Sequence, residues 1–161
     1  MKRMLYIDPA KCSGCRTCEL VCSMKNEGMA RPSLSRIQVI AYKYQGTRVP
    51  VTCQQCEDPV CMAVCPMQAL QKDPDLGIVR HNKERCMGCK TCVAACPFGG
   101  ISFNTEAREI FKCEQCNGDP QCVRFCLDHA ITYVDPGTVA SRRKRRKAEE
   151  LSYFVERSAS H

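Results

Sequence analysis

The chain has 161 residues, enough for one domain or two very small ones, and sixteen of them are cysteine. With no Trp, five Phe and five Tyr it has little from which to build an apolar core, so a covalent or metal staple is expected. The formal net charge is +7. No run approaches the roughly 18 apolar residues of a membrane span, and Met1–Pro9 carries neither an apolar h-region nor a twin-arginine pair. The expectation is a cytoplasmic chain whose thiols stay reduced and bind metal rather than form disulfides.

In chain order, the first cysteine group is Cys12, Cys15, Cys18 and Cys22, and residues 23–35 follow as a loop punctuated by Gly28 and Pro32. Strands are predicted at 36–40 and 48–51. The second group is Cys53, Cys56, Cys61 and Cys65, closed by Pro66. Residues 66–76 read as a loop, and 77–80 as a strand. The third group is Cys86, Cys89, Cys92 and Cys96, closed by Pro97. A strand at 101–103 leads to the fourth group, Cys113, Cys116, Cys122 and Cys126, and a last strand is predicted at 131–134. Short helices are expected to carry the last two cysteines of each group, as at 91–95 and 121–125. From Asp135 onward the character changes to a tail of helical character, with six consecutive bases, Arg142 to Lys147, before Leu151, Tyr153, Phe154 and Val155.

The groups repeat. Group one (CSGCRTCELVC) matches group three (CMGCKTCVAAC), and group two (CQQCEDPVCMAVC) matches group four (CEQCNGDPQCVRFC). Cysteines with two residues between them let a tight loop wrap one face of a cubane, with Gly14 and Gly88 where backbone must come close. The fourth cysteine follows one helical turn later. Structural zinc uses two separated cysteine pairs rather than an unbroken run of three. Four cysteine groups, each with three residues between its third and fourth cysteines and none left over, point to four [4Fe–4S] clusters. Each oxidised cluster with its four thiolates carries about −2, which would bring the +7 of the bare chain to about −1. Basicity is then compensation for buried cluster charge, and Arg16 and Lys90 inside the loops fit that role. The basic run from Arg142 to Lys147 motivates a nucleic-acid-binding alternative only weakly, being single, terminal and without interleaved aromatics.

These motifs resemble the bacterial-type ferredoxin superfamily, and more closely the four-cluster iron–sulfur subunits of molybdopterin-type oxidoreductases, hydrogenases and the tungsten aldehyde oxidoreductase family. The resemblance covers residues 4 to about 135. It implies an α+β fold of two nested ferredoxin-like two-cluster modules over 1–135, groups two and three at 53–97 forming the central one, with 136–161 as a basic and amphipathic tail. It also implies the ligand sets: Cys53, Cys56, Cys61 and Cys96; Cys86, Cys89, Cys92 and Cys65; Cys12, Cys15, Cys18 and Cys126; Cys113, Cys116, Cys122 and Cys22. Pairing within each repeat half is the alternative. Cys22 is followed by Ser23 and Cys126 by Leu127, not Pro, which puts the turn geometry there in question.

The resemblance implies a relay subunit without catalytic residues of its own. Its partner would be a catalytic subunit, of the tungsten- or molybdenum-pterin type by preference, the tungsten aldehyde type first. Electrons would pass to a flavin-containing acceptor subunit or a soluble ferredoxin. A hydrogenase, a formate or carbon monoxide dehydrogenase, or a free polyferredoxin are the alternatives. His81, His129 and His161 read as surface or turn residues, His129 with an outside claim to tune a cluster. The tail is expected to dock on the catalytic subunit or on a second copy of the chain.

Overall fold

A computed structural model describes residues 3–42 and 44–159, and within the last helix the side chains of 146, 149–150 and 153–159 stand outside that description. The expectation for Tyr153, Phe154 and Val155 therefore falls outside the described side chains. The two ends of the cysteine-rich region lie side by side. Strand β1 (Met4–Ile7) pairs antiparallel with β8 (Ile131–Val134), in the register Met4↔Val134 to Ile7↔Ile131. Helix α1 (Thr17–Glu27) packs against α4 (Gln121–Arg124). Strands β2 (Ile37–Tyr42) and β3 (Thr47–Thr52) form a hairpin over α1. In β2, Ile37 and Val39 are buried while Gln38 and Ile40 face out, the alternation of a half-covered strand.

The middle of the chain makes a second unit of the same kind. Helix α2 (Val60–Ala63) packs on α3 (Thr91–Ala95), and two antiparallel pairs flank them: β4 (Leu70–Lys72) with β5 (Val79–His81), and β6 (Ile101–Asn104) with β7 (Glu109–Lys112). Each unit has its own small core. One gathers Cys18, Cys22, Ile37, Val39, Cys122 and Ile131; the other gathers Cys61, Leu70, Val79, Cys92, Ile101 and Ile110. Cysteines supply much of both cores, as the thin apolar composition requires. Helix α5 (Pro136–Ala159) is held to the body by Val139, which is buried, and by Arg142, whose guanidinium donates to Thr132 Oγ1 at 3.2 Å and lies 5.5 Å from the centroid of the Tyr6 ring. Its start is capped by Asp135, whose carboxylate accepts from the Thr138 N–H at 3.0 Å.

Several expectations need correction. Residues 23–35 are not all loop: α1 runs on to Glu27 and ends at Gly28, whose φ of 74° lets its N–H reach the Met24 carbonyl at 3.0 Å. Residues 66–76 contain β4, a three-residue strand too short to show a period. Strands β1 and β7 were not foreseen. Only α1 carries both late cysteines of its group. Helices α2, α3 and α4 stop at or before the residue preceding the fourth: Pro97 holds Cys96 extended, with ψ 112°, while α2 and α4 end alike although only the first of them is followed by a Cys-Pro pair.

Candidate metal centres

The loops that open groups one and three turn in the same way. Gly14 and Gly88 have φ of 78° and 71°, and the basic residues that follow, Arg16 and Lys90, are left-handed at 60° and 62° just before their helices. Arg16 is 4.0 Å from Glu19, and the Lys90 ammonium lies 4.1 Å from the centroid of the Phe103 ring. Groups two and four turn instead on glutamines: Gln55 and Gln115 take φ of 49° and 51°. Gln115 is buried, its N–H donates to Cys113 Sγ at 3.3 Å, and its side-chain oxygen accepts from the Tyr133 hydroxyl at 3.2 Å. Neither glutamine was foreseen as structural; the matched C-x-Q-C spacing was the available signal.

The fold brings cysteines of different groups together. Cys65 of group two and Cys86, Cys89 and Cys92 of group three line one cavity. Cys22 of group one and Cys113, Cys116 and Cys122 of group four line another. Cys12, Cys18 and Cys126 pack in the first core, and Cys61 and Cys96 in the second. Charge on Cys53 and Cys96 bears on Cys61, and charge on Cys12 and Cys15 on Cys18. Lys72 Nζ donates to the Cys56 carbonyl at 3.4 Å. Gly100 approaches group two so closely that a Cβ there would sit 2.7 Å from the Cys53 Cα.

Backbone amides point at the sulfurs. The N–H groups of Ala69, Gly100 and Arg36 donate to Cys65, Cys96 and Cys22 Sγ, each at 3.3 Å. Donors of this kind stabilise negative sulfur. Burial works the other way on the free thiols: it pushes Cys18 up to about 12 and Cys92 and Cys113 up to about 11. Cys15 and Cys89 are exposed, and the hydroxyls of Thr17 and Thr91 draw their thiols below the ordinary value. Among the described residues, no three His, Cys, Asp or Glu side chains converge on one point that a single metal ion could occupy. Four soft sulfurs spread around a cavity, with amides aimed at them, fit a cluster of iron and sulfide.

Of the histidines, His129 sits in a left-handed turn and is exposed, as expected. His81 is not a surface residue: it is half-buried on β5, its Nε2 has no hydrogen-bond partner, and burial lowers its pKa. His161 lies outside the described residues. Among the described residues no helix is long and apolar enough to cross a membrane.

Comparison with known proteins gives one consistent picture. The 4Fe-4S dicluster domain family matches residues 44–136. The polyferredoxin-like subunit of the aliphatic sulfonate oxidoreductase of Pyrococcus furiosus is 42% identical over 122 residues, 76% of this chain and 70% of that one. The electron transport protein HydN of Escherichia coli is 36% identical across 94% of each chain. The probable anaerobic dimethyl sulfoxide reductase chain YnfG of Escherichia coli is 31% identical, covering 80% of this chain and 71% of its own. Among solved structures, a chain of the active site complex BamBC of benzoyl coenzyme A reductase is similar at 22% identity and a TM-score of 0.49, covering 96% of each.

Proposed function

The chain belongs to the 4Fe-4S dicluster domain family of electron-transfer proteins, not catalytic alone and carrying several [4Fe–4S] clusters, and from that premise we propose that it is the four-cluster relay subunit of a cytoplasmic oxidoreductase complex. The observation that carries the reading is the shared lining of two cavities, three cysteines from one group and the fourth from another. Cross-ligation of that kind is the ferredoxin pattern. It supports the sets Cys86, Cys89, Cys92 with Cys65 and Cys113, Cys116, Cys122 with Cys22. The remaining eight cysteines then divide as Cys53, Cys56, Cys61 with Cys96 and Cys12, Cys15, Cys18 with Cys126, a division consistent with Cys96 packing on the core that holds Cys61 and Cys126 on the core that holds Cys18. The nested modules follow: 53–97 within, groups one and four outside.

A bound [4Fe–4S] cluster takes up and returns one electron at a time. The order of the sets along the molecule can be argued from their neighbours. Cys18 shares a core with Cys122 and Cys61 with Cys92, while Lys112 and Gln55 join the Cys61 side to Cys113. The two end sets contain Cys15 and Cys89, the two exposed cysteines among the described residues. Electrons would therefore enter beside one and leave beside the other. The partner at one end is a catalytic subunit with a tungsten- or molybdenum-pterin, and at the other a flavin-containing subunit, a soluble ferredoxin or a further copy of the chain. Relatives named as oxidoreductase subunits support a catalytic partner.

The test is anaerobic purification from the native host. Sixteen irons and a large pterin-bearing partner in the same peak are expected, and metal analysis of that partner decides between tungsten and molybdenum. A brown protein that elutes alone would make it a free polyferredoxin; stoichiometric zinc without colour would end the cluster reading.

A further inference from the structure

Lys112 ends β7, directly before Cys113. Its side chain is buried, 4% exposed, and its Nζ donates to the carbonyls of Val79 at 2.5 Å and Cys113 at 2.9 Å. Val79 and Cys113 are joined a second time through Gln55. The Gln55 amide oxygen accepts from the Val79 N–H at 2.8 Å, and its nitrogen donates to the Cys113 carbonyl at 2.7 Å. The result is a closed ring of hydrogen bonds that stitches the inner unit, at β5 and group two, to the outer one, at group four.

Gln55 would suffice as a stitch. Lys112 adds a charge, and among the described residues no carboxylate lies within ion-pair distance of it. A buried ammonium held only by carbonyl dipoles is costly unless an anion is near. The anions at hand are thiolates: Nζ is bonded to the carbonyl of Cys113, and Gln55, directly before Cys56, closes the same ring. The internal repeat provides a control. Directly before Cys53, where group two matches group four, stands Thr52, also buried, whose hydroxyl donates to the Arg36 carbonyl at 2.8 Å. The fold thus accommodates a neutral residue at this place, and the lysine at the junction needs its own reason.

We propose that Lys112 is a fixed counter-charge for the two ligand sets that meet at this junction, Cys53, Cys56, Cys61 and Cys96 on one side and Cys113, Cys116, Cys122 and Cys22 on the other, and that it raises the reduction potential of both. The inference rests on the four ligand sets proposed above. A cation near a redox centre favours the state with one more electron, so removing the charge moves the midpoint to more negative potential. The end sets, with Cys15 and Cys89, lie away from Lys112 in the proposed order and are left unmoved.

The experiment uses the full chain in three variants, Lys112→Gln, Lys112→Met and Lys112→Arg. Iron and sulfide are counted, and midpoints are read from a redox titration followed by electron paramagnetic resonance. The expected result is full iron in all three, two of four midpoints more negative in the Gln and Met variants, and wild-type midpoints in the Arg variant. Unmoved midpoints at full iron, or an equal shift of all four, overturn the proposal while leaving the ligand sets standing. Clusters lost from the Gln and Met variants but kept with Arg support it, since charge is then what the site requires. Loss from all three makes Lys112 a packing residue and overturns it. A wild-type chain with fewer than four clusters sinks the ligand sets and the proposal together.

Discussion

Residues 12–28 and 86–100 start from one pattern, Cys-x-Gly-Cys-base-Thr-Cys, and end differently. Both loops use a left-handed glycine and a left-handed base, and both helices start at the threonine, Thr17 and Thr91. After the third cysteine they part. In the outer copy α1 runs eleven residues, carries Cys22 within it, and buries Ser23 completely. The Ser23 hydroxyl donates to the Leu20 carbonyl at 2.9 Å and accepts from the Arg31 N–H at 3.0 Å. In the inner copy α3 lasts five residues, Pro97 turns the chain, and a left-handed Gly99 sends the Gly100 N–H to Cys96 Sγ. Cys22 finds its donors elsewhere, in the distant Arg36 N–H and the Asn26 side chain. The loop that carries the first three cysteines is thus a portable local unit. What differs between these two copies at the fourth cysteine is the residue after it, Ser23 or Pro97, and the length of the helix that leads to it.

The sharpest way to break the comparison is to remove the two fourth cysteines. Under the proposed ligation Cys22→Ala damages the cluster of Cys113, Cys116 and Cys122, and Cys96→Ala that of Cys53, Cys56 and Cys61. Each variant is expected to lose one cluster's worth of iron, with the magnetic resonance signal of its own group's first three cysteines unchanged. A signal lost from the Cys12 or Cys86 set instead would mean that each group closes on itself.

Exchanging the residue after the cysteine comes next. Ser23→Pro puts a proline inside α1 and removes both buried hydrogen bonds of the hydroxyl, at a cost of about 3 kcal/mol or more. Pro97→Ser lies just beyond a helix already ended, where about 1 kcal/mol or less is expected. Urea midpoints of the cluster-loaded variants check this; equal losses would show that the proline, not the helix context, is the determinant.

A third test concerns the residue after the third cysteine, Glu19 outside and Val93 inside. Val93 packs on the inner core. Glu19 is buried, and its Oε1 accepts from the Val39 N–H at 2.6 Å, holding the β2–β3 hairpin on α1. Glu19→Ala leaves that amide buried and unpaired, which costs about 1–3 kcal/mol. Faster hydrogen exchange at Val39, with the inner sheet unchanged, is the expected signature.

The sequence made the cysteine groups, their repeat and the glycine turns legible, because those are written in spacing and in residues with narrow conformational uses. Helix 91–95 was also legible, bounded by Thr91 and Pro97. Much of the rest was not. Ser23 reads as a loop residue until the Arg31 amide and the Leu20 carbonyl are seen to hold it inside a helix. Strands β1 and β4 are too short for a period and are made by partners far along the chain or across a turn. Lys112 reads as one base among twenty-four Lys and Arg, and only burial distinguishes it. Group one and group three differ by a Glu and a Val after the third cysteine, but nothing in that pair says that a hairpin will hang from the Glu.

The smallest effect expected is on the turns of two hairpins, β4–β5 inside and β2–β3 outside. In the inner one Asp73 organises the β4–β5 turn: its Oδ1 accepts from the N–H groups of Asp75 and Leu76, both at 2.9 Å, and its Oδ2 from Arg80 Nε at 2.7 Å. The Leu76 N–H first, and then Arg80, hold its carboxyl below the ordinary carboxylate value. The outer β2–β3 turn is built differently, from the Gln45 N–H on the Tyr42 carbonyl and the Thr47 hydroxyl on the Gln45 carbonyl, groups that do not titrate. A carboxyl whose folded pKa is lowered contributes stability that is fully present above its unfolded pKa and is lost as pH falls through the folded one. Acid should therefore loosen the inner turn and spare the outer, in a window that begins at the ordinary aspartate value and extends below it. Asp73→Asn keeps an oxygen for the amides but gives up the charge toward Arg80. At neutral pH its Leu76 and Gly77 amides should exchange somewhat faster than in the wild type, and on acidification the two proteins should converge. If the wild-type inner turn kept its protection through that window while the Asn variant had already lost it at neutral pH, the carboxylate would be acting by shape and not by charge.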